Sequence, residues 1–199
     1  MAQIFPSASA PHIRTSDSIS KIMLDVLIAL VPAVIVSVFV FGWSALVLCL
    51  MGVIVAEALE LFIMKVLRKK KDFIPDGSAA VTGLLLAMNL PAGFPWYLFI
   101  IGILVAIGLG KHVYGGLGSN PFNPALVGRV FLVISFPAAM SNYYKPGIWK
   151  TLESLSTAAS PVVTGATPMG LLKESGLQSA LQNHTYMDMF LGNTGGALG

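Results

Sequence analysis

Charged side chains are scarce in this sequence. Asp, Glu, Lys and Arg make up 11% of its 199 residues, less than half the share of about 25% usual in water-soluble domains. So few charges cannot coat a globule of this size against water, and a mean hydropathy of +0.79 points the same way. The apolar surface left over has to face lipid or other subunits. Cysteine is nearly absent as well. The single Cys49, set in an apolar run, excludes an internal disulfide and any cysteine-ligated cluster built by this chain alone, and it reads as a small buried residue. His12, His112 and His184 lie far apart, without metal-ligand spacing. The first twenty residues contain no apolar stretch of the kind a cleavable secretory signal requires.

What is present is a series of apolar runs. Residues 22–41 are predicted to form a spanning helix, about 30 Å long at about 1.5 Å per residue. Asp17 and Ser18 stand where a helix start is expected, and Pro32 interrupts the middle. Residues 43–67 form a second span, which ends in Arg68, Lys69, Lys70 and Lys71. Of three further runs, 78–90 and 96–110 are shorter than a full crossing, and the last covers about 125–140, with Arg129 near its start. They read either as broken helices lining an intramembrane site or as short spans in a thinned bilayer. The expected fold is therefore an all-α integral membrane unit of about five transmembrane or broken helices over 22–140. It is preceded by a cytoplasmic segment, 1–21, and followed by an irregular water-facing region, 141–199, rich in Ser, Thr, Gly and Asn.

The positive-inside rule puts the Arg68–Lys71 cluster, and with it the N-terminus, on the cytoplasmic side. If all five segments cross, Lys111 is also inside and residues 141–199 lie outside. If segment 78–90 alone is re-entrant, Lys111 and the tail exchange sides. Charge counting does not choose between the two.

Residues 111–124 join the fourth and fifth runs. Asn120-Pro121, Asn123-Pro124 and Gly115, Gly116 and Gly118 forbid regular helix there. The loop could offer backbone amides and the Asn120 and Asn123 side chains to a ligand, or serve only as a tight connection. Within the second run, Glu57 and Glu60 are three apart and share a helix face. Acidic groups in a span are costly and mark a candidate ion path. Against that, both fall near the cytoplasmic end, within reach of Lys65 or Arg68. Asp25 is placed similarly in the first run.

The stretch that suggests chemistry is Thr164, Gly165, Ala166 and Thr167, followed by Pro168. Two minimal side chains and a fixed backbone display the Thr167 hydroxyl on a non-helical loop. On physical grounds alone this is a turn. It resembles, however, the [Ser/Thr]-Gly-Ala-[Ser/Thr] flavinylation motif of Rnf D subunits and of the B subunits of sodium-pumping NADH:quinone oxidoreductases. The stretch from Asp76 to Gly83, the following run to Pro91, the 111–124 loop, and Asn123-Pro124-Ala125-Leu126 leading to Arg129 are similar to that family in order and spacing. One departure is Pro161, where family members often carry an acidic residue three positions before the motif.

The resemblance implies a subunit of a ferredoxin:NAD oxidoreductase complex in a bacterial or archaeal cytoplasmic membrane, not catalytic alone. It would relay electrons through FMN joined to Thr167 as a phosphoester by a flavin transferase, coupled to sodium-ion or proton translocation. The motif region would lie on the non-cytoplasmic side. A second, non-covalent flavin such as riboflavin is implied within the membrane part. So are the other Rnf subunits as partners, and no nucleic acid. The family's fold is pseudo-repeated and transporter-like, and this chain corresponds to one half, ending before a second set of helices. The competing expectations are a passive channel or secondary transporter for a small solute, and a membrane scaffold with Thr167 unmodified.

Overall fold

The computed structural model describes residues 18–69 and 74–143, with short stretches at 169, 172–173, 186–191 and 196–198. Among these the architecture is helical throughout, and the only β-type pairing is an isolated antiparallel bridge between Pro91 and Ala197.

Helix α1, Ile19–Phe41, begins at Ser18, whose Oγ accepts a hydrogen bond from the Lys21 backbone N–H at 3.2 Å. Pro32 is carried inside the helix. One residue, Gly42, separates α1 from α2, Trp43–Phe62. Its φ of 78° is open to glycine and strained for other residues, which lets the chain reverse in a single step. Helix α2 continues without a break into a π-helical turn, Ile63–Leu67. Together they form a 25-residue apolar rod, and with the 23 residues of α1 they make two helices long and apolar enough to cross a membrane.

Helix α3, Ser78–Met88, has 11 residues and measures about 16 Å at about 1.5 Å per residue. It cannot cross a core about 30 Å thick. Nearly every position is buried, from Ser78 and Ala79 through Leu86, Ala87 and Met88. The packing against α2 depends on two glycines: a Cβ on Gly52 would stand 2.7 Å from the Gly83 carbonyl oxygen. After α3 the chain turns through Asn89, Leu90 and Pro91 and starts α4 at Trp96. Helix α4, Trp96–Leu104, again passes into a π-helical segment, Val105–His112.

The two arms α3 and α4 form a hairpin with its open end at Arg68. Lys111, at the end of α4, donates to Ser78 Oγ at the start of α3. The Arg68 guanidinium donates to the carbonyl oxygens of His112 and Gly115, the latter at 3.2 Å. These contacts put Lys111 and Arg68 at the same end of the bundle. Helix α3 is short, but α4 makes up the return.

Helix α5, Pro124–Ser135, starts beside Gly110 and runs back along α4, with Gly128 against Gly102 and Leu132 filling the space above Gly102. Asn123 Oδ1 caps it through the Ala125 N–H at 3.0 Å, and Pro124 occupies the first turn, where its missing N–H is harmless. At Phe136, before Pro137, the helix breaks, and a short α6, Pro137–Ser141, follows. A further short helix, α7, covers Tyr186–Leu191.

The core joins Leu86, Leu90, Phe99, Ile103, Ile107 and Leu132. Outside it lies a belt of exposed apolar side chains, including Val36 at 61%, Phe39 at 63% and Ile134 at 75%. This is the surface of a bundle built for lipid or partner helices.

Candidate functional site

The most concentrated chemistry among the described residues lies at the Arg68 end, where α2, the start of α3 and the end of α4 converge. Glu60 and Lys111 are each 2% exposed, and His112 is 7% exposed. Lys111 Nζ donates to Glu60 Oε1 and to Ser78 Oγ. Ser78 in turn donates from Oγ and from its backbone N–H, the latter at 3.0 Å, to Asp76 Oδ1. His112 Nε2 stands 3.6 Å from Glu60 Oε1. Both ring nitrogens of His112, and Glu60 Oε2, are buried without a hydrogen-bond partner. Asp76 is partly buried, which by itself raises its carboxyl pKa. The hydrogen bonds from Ser78 and the Lys111 charge outweigh that and hold it below the ordinary 3.8.

Local sequence explains how the side chains arrive there. The π-helical turns at 63–67 and 105–112 widen the ends of α2 and α4. Such turns cluster at functional sites. Here the second one brings Lys111 and His112, adjacent in sequence, both to the buried side. Gly115, Gly116 and Gly118, all with positive φ, then fold the chain back beneath Arg68.

The acidic residues singled out by sequence separate into three situations. Glu57 Oε1 accepts from the Ala80 backbone N–H at 3.1 Å, so it caps the first turn of α3. Glu60 sits in the buried cluster, paired with Lys111 rather than with Lys65 or Arg68. Those two are closer in sequence, but Arg68 is spent on carbonyl oxygens. Asp25 is exposed on α1 and takes no part in the cluster. Asn120 donates to the Phe122 carbonyl at 3.2 Å and Asn123 caps α5, so both loop amides serve local structure. Thr164, Gly165, Ala166 and Thr167 lie outside the described residues. Sequence reasoning missed Lys111, His112 and Ser78 as members of one site. The available signal was a Lys-His pair closing an apolar run.

At the other end of the hairpin, Arg129 on α5 donates to Asn89 Oδ1 at 2.7 Å, and Asn89 Nδ2 closes on the Leu85 carbonyl at 2.8 Å. The same tip receives residues 196–198: the Leu198 N–H donates to the Leu90 carbonyl at 3.1 Å, and Leu198 is 4% exposed. Residues 196–198 therefore contact the bundle at this tip. The tip is remote from Arg68, because α5 runs away from that end.

An all-helical bundle with lipid-ready surfaces and buried charge at one end is the architecture of an integral membrane protein. The chain belongs to the NQR2, RnfD, RnfE family, whose model matches residues 7–199. It is 44% identical, over 98% of its length, to the D subunit of the proton-translocating ferredoxin:NAD(+) oxidoreductase complex of Clostridium ljungdahlii. It is 42% identical over 94% of its length to the D subunit of the Na(+)-translocating ferredoxin:NAD(+) oxidoreductase complex of Acetobacterium woodii. Against the D subunit of the ion-translocating oxidoreductase complex of Escherichia fergusonii it is 38% identical over 84%. The matches cover 58%, 54% and 48% of those relatives, so the chain spans about half their length.

Proposed function

We propose that this chain is the membrane portion of the D subunit of an ion-translocating ferredoxin:NAD oxidoreductase complex, with FMN attached as a phosphoester to Thr167. It is one part of an assembly with other Rnf subunits and is not catalytic alone. The observation that carries the reading is family membership across residues 7–199, a span that includes the Thr-Gly-Ala-Thr motif at 164–167. Gly165 and Ala166 leave room for a flavin transferase to bring a diphosphate to the Thr167 hydroxyl, and Thr164 completes the motif. Bound flavin would supply electron transfer. The chain would supply the anchor and its position.

The course of the helices supports an orientation. With Arg68 and its neighbouring lysines in the cytoplasm of a bacterial or archaeal cell, α5 runs toward the opposite face. The stretch between Tyr143 and Gly196 is then on the non-cytoplasmic side, joined to the membrane unit at both ends. We assign residues 22–140 to that unit and 141–199 to the flavin-bearing region, and we place a second, riboflavin-like flavin within the membrane part. Electron transfer is coupled to movement of sodium ions or protons. Of the three acidic candidates for that movement, Glu60 is retained, since Glu57 caps α3 and Asp25 is exposed.

Mass spectrometry of the peptide containing Thr167, from protein produced with its flavin transferase, tests the assignment. A gain of one FMN less water, absent in Thr167→Ala, is expected. A bare Thr167 in an active complex overturns it.

A further inference from the structure

We propose that Glu60 is a reversible proton-binding site, with neutral His112 as the acceptor of its carboxylic O–H and Lys111 as a fixed counter-charge. This deepens the reading of Glu60 as the acid of the coupled ion movement by naming the proton as the species held there.

The unpaired atoms are the starting point. Glu60 Oε1 is taken by the Lys111 ammonium, while Oε2 is buried with nothing donating to it. Both His112 nitrogens are buried and unpartnered as well. Groups of this kind normally find partners, since each one left alone costs about 1–3 kcal/mol. A neutral imidazole has one ring nitrogen with a lone pair. A proton on Oε2 turns that oxygen from an acceptor into a donor, and the unpartnered His112 ring, whose Nε2 stands 3.6 Å from Oε1 of the same carboxyl, is the neighbouring group that can accept from it after a small side-chain rotation. The step is balanced: an O–H bond forms on Glu60 from a proton delivered by water, and the same bond breaks on release, with Lys111 keeping its own proton throughout.

The surrounding charges favour a proton over an alkali cation. The site already holds one cation, because Lys111 Nζ occupies Glu60 Oε1 and Ser78 Oγ, two of the oxygens a metal would need. Imidazole nitrogen is a poor ligand for hard cations, which take oxygen. The other charged groups around the pair are Glu57 on α2 and Asp76 before α3, both near Glu60, and Arg68, after the 63–67 turn, near His112. Glu57 is tied to the Ala80 N–H, Asp76 to Ser78, and Arg68 to two carbonyl oxygens. They set the field but leave the Oε2 side open.

The test is infrared difference spectroscopy of the whole chain in lipid nanodiscs, titrated with pH. A carboxylic-acid carbonyl band that appears on acidification and vanishes in Glu60→Gln is expected. His112→Leu keeps the Glu60–Lys111 pair but removes the acceptor. It should weaken proton affinity about tenfold, the loss of one buried hydrogen bond, and it gives a reading even where Glu60→Gln fails to fold. No titrating band in the wild type, a band that persists in Glu60→Gln, or a midpoint unmoved in His112→Leu overturns the proposal. So does a midpoint that shifts when sodium chloride replaces choline chloride at equal strength, which would mean that an alkali cation competes. The Glu60 band does not depend on flavin at Thr167, so either assignment can fail while the other stands.

Discussion

Gly52 and Gly83 meet across the α2–α3 crossing so closely that a side chain on either would enter the backbone of the other: a Cβ on Gly52 falls 2.7 Å from the Gly83 oxygen and 3.1 Å from the Phe99 ring. The obstacle on the Gly83 side is backbone, which cannot rotate away as a flexible side-chain tip can.

Gly83→Ala should therefore destabilise the bundle by about 1–3 kcal/mol, the usual cost of overpacking, and Gly83→Val by more. Thermal unfolding in detergent, followed by circular dichroism, measures this. Gly108, around whose Cβ position there is open space, provides the control: Gly108→Ala should leave the melting temperature nearly unchanged.

Lys111 and Glu60 should be costly to break and cheap to replace. Lys111→Met leaves a buried carboxylate without its ammonium and should cost about 3–5 kcal/mol at neutral pH. The Glu60→Leu, Lys111→Met double variant should recover most of that loss. A double-mutant cycle of unfolding free energies reads the difference, and additive single losses would show that the pair is not coupled.

Asp76 gives a pH signature. Its folded-state carboxyl lies below 3.8, so the stabilisation is fully present above 3.8 and disappears as pH falls through the lower, folded value. Asp76→Asn should be less stable than the wild type at pH 7, and the gap should close on acidification below 3.8. Melting temperature against pH, measured for both, checks the sign. A gap that widens in acid would contradict the hydrogen bonds to Ser78.

On the proposal that Thr167 carries FMN, Thr167→Ser should keep covalent flavin and Thr167→Ala should lose it, since a phosphoester needs a hydroxyl and nothing else of the side chain. In-gel flavin fluorescence after denaturation separates the two. Thr164→Ala bears on recognition by the transferase, and reduced but non-zero labelling is expected.

Much of the helical layout was legible in the residues, because the signals are local. The first run starts at Ser18 as its sequence suggests, whereas the run read as 125–140 is broken at Phe136, before Pro137, into two helices. The third run is short in the sequence, and α3, with 11 residues, is correspondingly short in the structure. What was not legible depends on tertiary partners. Glu60 has Lys65 and Arg68 nearer in sequence, yet its counter-ion is Lys111, 51 positions away, and no periodicity encodes that choice. The π-helical turns that aim Lys111 and His112 inward have no residue signature of their own. Charge counting could not say whether Lys111 shares an end with Arg68; the contact from Arg68 to the 112–115 backbone, invisible in the sequence, puts them together.

The hydrogen bond from the Leu198 N–H to the Leu90 carbonyl ties residues 196–198 to the tip where α3 gives way to α4. Arg129 on α5 grips the same tip through Asn89. At the opposite end the Lys111–Ser78 contact holds the two arms of the hairpin together. A displacement of the tip would therefore be felt at once by α5 and by the 196–198 segment, with the arms acting as one lever pinned at their far end.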